Sequence, residues 1–254
     1  ALLSESREYE RGVTAAVNAS VQPLLERYVA RLADELAAKG YQRDLLVMNG
    51  NGGMVAAKDV AKEAVKTVMS GPASGVMAAV ATGRRAGMAN LLTYDMGGTS
   101  TDVAMIKAGV APVSNEIEVE YAMPIHVPMV DVRTVGAGGG SIARIDAGGM
   151  LRVGPESAGS DPGPVCYGRG GTRVTISDAN LILGRLPASR FGQAAEAAYA
   201  AMREQIAVPL VLSVEAAAEA VIRIANTHMA GAIRMVSISM GADPRDFALF
   251  AFGG

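Results

Sequence analysis

The run Asp95-Met96-Gly97-Gly98-Thr99-Ser100-Thr101-Asp102 concentrates the groups in this chain that could do chemistry. Two glycines allow a ligand to approach the backbone without meeting a Cβ, and successive N–H groups in such a turn form a concave anion site. The hydroxyls of Thr99, Ser100 and Thr101 add donors suited to phosphate oxygens. Asp95 and Asp102 would repel a bare phosphate unless a hard cation such as Mg²⁺ lies between, so a metal-nucleotide is the ligand this composition suits. The same spacing also describes an ordinary β-hairpin with a Gly-Gly turn and surface hydroxyls. Apolar residues on both sides, Leu91–Tyr94 and Val103–Ile106, make the run a strand, a turn and a second strand in either reading.

The rest of the chain must hold this turn. With 254 residues, 50% apolar and 19% charged, and a net charge of -2, the composition is that of a globular protein and argues against disorder or a basic nucleic-acid surface. Aromatic residues make up 4% and tryptophan is absent, so the core must pack small side chains closely, as helices on a sheet do. The single cysteine, Cys166, cannot form an internal disulfide and reads as a buried small hydrophobe. No Cys/His set suggests zinc. The apolar helical run Pro72–Ala81 is too short to span a bilayer and no signal sequence is recognisable, which points to a soluble cytoplasmic protein with no membrane partner.

Helical spacing of Val13, Val17, Val21, Leu25, Tyr28, Leu32 and Leu36 predicts one long helix or two over residues 4–38, with Pro23 as a kink or restart. A strand over 44–48 enters the turn 49–53. A helical segment over 59–68 and a helix starting at Ser70-Gly71-Pro72 follow, the serine as cap. Short strands are expected over 110–119 and a strand over 129–135. His126, between Pro124 and Pro128, reads as a surface or hydrogen-bonded loop residue.

Gly136-Ala137-Gly138-Gly139-Gly140-Ser141 is a second glycine-rich loop, and residues 142–146 alternate like a strand that turns at Gly148-Gly149. Residues 151–173, rich in proline and glycine, are expected to form no core and to serve function or an interface. Ser177 or Asp178 is expected to cap a helix. Two helices then follow over 193–206 and 214–240, the second capped by Ser213 with a stripe of Ala217, Val221, Ile224, Ala225, Ile233 and Val236. A last strand covers 246–252. Four apolar runs thus end in glycine clusters, at 52–53, 97–98, 138–140 and 253–254, and ligand sites of α/β sheets form where strand ends converge.

These motifs, in this order, resemble the hydantoinase A/oxoprolinase family. The likeness rests on Asp95–Val103, on Gly136–Ala143, on Ser157-Ala158-Gly159 with Pro162–Gly171, and on Asp243–Phe247 with Phe252-Gly253-Gly254. Arg7–Arg11 and Ser70–Ala73 match too. The resemblance implies an α/β fold of actin-like ATPase (ribonuclease-H-like) type, a mixed sheet with packed helices, as a fragment of a larger bipartite subunit. It implies a helical and connecting segment over 1–90 and a second ATPase domain over 91–254, together one compact unit.

By the same resemblance, ATP phosphorylates a cyclic amide carbonyl to activate it for hydrolysis. An acetone-type carboxylase subunit and a non-catalytic nucleotide-binding scaffold are the alternatives. Asp95 and Asp102 would be the catalytic and Mg²⁺-binding residues, with Gly97, Gly98, Thr99, Ser100 and Thr101 on phosphate. Gly138, Gly139, Gly140 and Ser141 would lie near the nucleotide or substrate, and Gly253 and Gly254 would open the adenosine motif. The implied partners are the N-terminal half of the same subunit, which carries the first phosphate motif, and a hydantoinase B-type subunit. Arg133 stands where the family resemblance leads us to expect a histidine, and would pair with Asp131 or phosphate.

Overall fold

The computed structural model describes residues 7–115, 117–118 and 124–253. The chain divides into two compact units, Ala1–Leu91 with Ala104–Val132, and Leu92–Val103 with Arg133–Gly254. Where the sequence sets residues 1–90 apart from 91–254, the units interleave, because residues 104–132 return to the first unit. No single helix among the described residues is long and apolar enough to cross a membrane.

The first unit begins with α1 (Glu8–Ala38), which continues through Pro23 without a restart. Pro23 and Ala19, the residue whose carbonyl loses its i+4 donor, are both exposed, so water can take the place of the missing bond. The predicted apolar stripe is only half-buried, and Tyr28 is 62% exposed. The residues that go under are Thr14, Asn18 and Val29. Asn18 Oδ1 accepts from the Val65 amide at 3.0 Å, and Thr14 Oγ1 accepts from the His126 amide at 3.1 Å. His126 is therefore a buried, hydrogen-bonded loop residue and not a surface one.

Strands β1 (Leu46–Met48) and β2 (Met54–Ala56) pair antiparallel around the 49–53 turn. After α2 (Ala57–Val60) and a 3-10 stretch (Ala61–Thr67) comes α3 (Ser70–Arg85). Its cap position is Met69, at φ 59°, and not Ser70, which lies inside the first turn with Pro72. Strands β3 (Leu91–Met96) and β4 (Thr101–Ile106) form the predicted hairpin. The expected 110–119 strands are β5 (Val113–Ser114) and β6 (Ile117–Glu118), with Val119 outside the described residues. The expected 129–135 strand is divided. After β7 (Pro124–Ile125), β8 (Met129–Val130) pairs with β5, whereas β9 (Arg133–Val135) pairs with β4.

The second unit, which holds most of β3, the start of β4 and all of β9, adds β10 (Ser141–Ile145) and β11 (Leu151–Ser157), the antiparallel hairpin that Gly148-Gly149 predicts. Then come α4 (Ile176–Ile182), α5 (Gln193–Met202) with a π-helical extension, α6 (Val208–Leu210), α7 (Val214–Ser239) and β12 (Ala248–Gly253). A four-stranded sheet runs β12-β3-β4-β9. Ser213 Oγ caps α7 by accepting from the Ala216 amide, and Ala217, Val221, Ala225 and Val236 of the predicted stripe are buried. Ile224 and Ile233 are half-buried. The core is built largely from small residues, Ala143, Ala179, Ala207, Ala217, Ala218 and Ala225 among Val174, Ile176, Met202, Ile206 and Val221, as the composition requires.

Residues 151–173 do contribute to the core. β11 pairs with β10 at residues 151–153 and again at Ser157, on either side of an irregularity at 154–156, and Val153 is buried in the main core; Val165 and Cys166 join Leu181, Ala195 and Ala198 in a smaller cluster. The α4 cap is Thr175, not Ser177 or Asp178, and Asp178 completes a capping box with it. Asp178 does more than cap. Fully buried, it accepts from the amides of Thr175 at 2.8 Å and Cys166 at 2.7 Å and from the Thr175 hydroxyl at 2.8 Å, which ties the 165–167 turn to α4. Burial, and then the charge of Asp178, push the Cys166 thiol far above its usual range, so it stays protonated and inert. An Asp178→Asn variant, which turns an amide N–H₂ toward these donors, is expected to cost about 2 kcal/mol in urea unfolding. An unchanged midpoint would contradict that role.

Candidate phosphate site on the β3–β4 hairpin

The hairpin closes through the Gly97 amide, which donates to the Ser100 carbonyl at 2.8 Å. That leaves the amides of Gly98, Thr99 and Ser100 without a protein acceptor among the described residues. Gly98 and Thr99 are exposed and Ser100 half-buried, so the turn that carries these three donors lies at the surface.

The second glycine loop lies against this turn. Register places Thr101 opposite Val135 and Asp102 opposite Thr134, which starts the loop beside the hairpin. Gly139 and Gly140 donate their amides to the carbonyls of Gly97 and Gly98 at 3.0 and 2.6 Å, and the Thr101 hydroxyl donates to the Ala137 carbonyl. A Cβ on Gly138 would stand 2.7 Å from Gly97 O, Ser100 N and Thr99 C, so only glycine permits this contact. The Gly138 amide donates to Ser141 Oγ at 2.9 Å, and the Ser141 amide returns to the Gly138 carbonyl at 2.9 Å. Both the amide and the hydroxyl of Ser177 donate to the Gly139 carbonyl. The backbone amides of Gly138–Ser141 are thus spent inside the protein, and the loop acts as a brace that shapes the hairpin. Ser157 reaches it too, its hydroxyl 3.4 Å from Thr99 Oγ1.

Asp95 is the next-to-last residue of β3 and Asp102 the second of β4. Partial burial, and then the charge of Asp102, hold the Asp95 carboxyl above the usual carboxylate range. Asp102 accepts a 2.6 Å bond from the Thr134 hydroxyl of the facing strand. The two carboxylates therefore feel one another while standing in different surroundings. An Asp102→Asn variant is expected to lower the Asp95 pKa toward its ordinary value, as read by carboxyl-carbon NMR titration; an unmoved Asp95 would disprove the coupling. Gly253, at φ +89°, brings the end of β12 over the same strand, where its Cβ would stand 2.8 Å from the Met96 carbonyl. Gly254 lies outside the described residues. Arg133 is exposed in β9, opposite Val103.

Among the described residues no group of three His, Cys, Asp or Glu side chains is placed to hold a metal alone. Two carboxylates beside free backbone donors do suit Mg²⁺ carried in on phosphates, because that ion commonly uses one or two carboxylates and completes its shell from phosphate and water. Sequence reasoning passes over Thr134 and reads Ser177 only as a helix cap and Ser157 only as part of a motif; the roles of Thr134 and Ser177 arise from strand register and loop docking.

Residues 11–254 match the sequence profile described as hydantoinase/oxoprolinase. The chain belongs to the hydantoinase/oxoprolinase family. It is similar to the caprolactamase subunit alpha of Pseudomonas jessenii, 44% identical over 98% of this chain and 36% of that protein. A solved ATP-dependent caprolactamase from the same organism superposes with a TM-score of 0.75 at 41% identity, over 98% of this chain and 36% of that one. A nucleotide-free acetone carboxylase, from work on ATP-dependent acetone carboxylation, superposes at 0.77 with 34% identity, over 90% of this chain and 32% of that one. This family member thus has the α/β fold of actin-like ATPase type, and spans about a third of the length of these relatives.

Proposed function

We propose that this chain is the central part of a cytoplasmic ATP-dependent amidohydrolase subunit acting on small cyclic amides. The observation that carries the reading is the set of three uncommitted amides, Gly98, Thr99 and Ser100, next to Asp95 and Asp102 on a hairpin braced by Gly138–Ser141. Phosphoryl transfer asks mainly for positioning and charge neutralisation, which glycine amides, hydroxyls and carboxylates supply without histidine or cysteine. The amides and the Thr99 and Ser100 hydroxyls bind phosphate oxygens, and Asp95 and Asp102 hold Mg²⁺, which offsets phosphate charge when bound. Thr134 keeps Asp102 in place. Gly253 keeps the end of β12 close to Asp95, on the side where the implied adenosine motif begins. The transferred phosphoryl group makes the amide carbonyl carbon electrophilic enough for water to attack.

The likeness to a caprolactamase supports the amide substrate, and relatives named as subunits support a second chain of hydantoinase B type. The likeness to an acetone carboxylase favours one other reading, carboxylation with the same ATP chemistry. Bicarbonate separates them. The complete subunit with its partner is expected to consume ATP when given hydantoin, 5-oxoproline or a lactam, with no need for bicarbonate. Turnover that requires bicarbonate and a ketone would replace the amide reading with the carboxylase one.

A further inference from the structure

A cleft of about 820 Å³ lies within the second unit, bounded by residues 135–137, the β10–β11 hairpin and α7. Its volume falls in the range of small-molecule sites. Val135, Leu151, Val153 and Ile224 supply apolar surface, and all four belong to or pack against the main core, which gives the cleft a firm floor. Its polar lining holds two guanidiniums, Arg144 and Arg152, the hydroxyl of Thr227 and the imidazole of His228, against the single carboxylate of Asp146.

That carboxylate is already engaged. Asp146 accepts from Arg152 Nε at 2.8 Å and from the amides of Gly148 and Met150 at 3.0 Å, and these bonds hold it below its usual range. Arg144 forms no salt bridge among the described residues, although its charge reaches Glu156, and both Arg144 and His228, which line the same cleft, are exposed. An apolar floor under an uncommitted guanidinium and an imidazole selects a ligand with a hydrocarbon body and one anionic end. Inorganic phosphate leaves the floor wet, and a neutral alcohol leaves Arg144 unused.

We propose that this cleft is a binding site for a small aliphatic carboxylate, with the chain on Val135, Leu151, Val153 and Ile224 and the carboxylate at Arg144 and His228. Binding here needs no nucleotide, so it is assayed without ATP and stands or falls separately from the role of the hairpin. Calorimetry on the full chain with butyrate, hexanoate and octanoate is expected to show affinity rising about tenfold for each two added methylenes. Hexan-1-ol should bind at least about tenfold more weakly than hexanoate, and Arg144→Gln should weaken hexanoate by about tenfold with the alcohol unaffected. His228→Gln, also at an exposed position, should weaken hexanoate in the same direction. Equal binding of alcohol and acid, no effect of either substitution, or displacement of hexanoate by an equal concentration of inorganic phosphate would each overturn the site.

Discussion

Replacing Asp95 with asparagine is expected to lower ATP turnover of the assembled enzyme by about a thousandfold while leaving its folding intact, a loss typical of removing one charge from a phosphoryl-transfer site. Asparagine has the shape of aspartate, so it keeps the fit against Gly253 and the end of β12, and Asp95 is only half-buried. What the substitution removes is the charge. In the wild-type chain that carboxyl is held above its ordinary range by burial and by the charge of Asp102, so a cation bound beside it would relieve that repulsion. Steady-state ATPase assays with the amide present, together with a thermal melt, distinguish loss of chemistry from loss of fold. Full turnover by Asp95→Asn would remove this residue from the mechanism.

The largest expected effect on stability is at Gly138. A methyl group there meets three backbone atoms at 2.7 Å, Gly97 O, Ser100 N and Thr99 C, and backbone cannot swing aside as the end of a flexible side chain can. Gly138→Ala must either separate the loop from the hairpin, which breaks the bonds from Gly139 and Gly140 to Gly97 and Gly98, or distort both turns. We expect a loss of about 3 kcal/mol in denaturant unfolding, at the upper end of what overpacking costs. Gly98→Ala is the internal comparison. Its Cβ meets nothing within 4 Å, so its unfolding midpoint should move by less than about 1 kcal/mol. Similar losses at both positions would show that tight backbone packing is not what makes Gly138 necessary.

Features written in adjacent residues were readable before the fold was known. The β3–β4 hairpin follows from Gly97-Gly98 between apolar runs, β10–β11 from alternation around Gly148-Gly149, and α7 from Ser213 at its start and its apolar stripe. The small-residue core followed from alanine content and the lack of tryptophan. Features that depend on distant partners were not readable. The burial of Asn18 is explained by a bond to Val65, 47 residues away, so apolar periodicity finds the inward side of α1 without naming its most buried residues. Asp178 looks like a cap until the 165–167 turn folds back onto it. The Gly138–Gly140 run suggests a ligand loop by composition, and only docking shows its amides turned toward Gly97 and Gly98. Thr134 sits four residues before Gly138 with nothing in its neighbours to mark it; strand register alone places it across from Asp102.

The most direct test is a structure of the complete subunit with Mg²⁺ and a non-hydrolysable ATP analogue. Phosphate oxygens are expected within hydrogen-bonding distance of the amides of Gly98, Thr99 and Ser100, with the metal ion on Asp95 or Asp102 and the Gly138–Ser141 brace unchanged. A well-ordered triphosphate bound elsewhere, with those three amides facing solvent, would contradict the assignment.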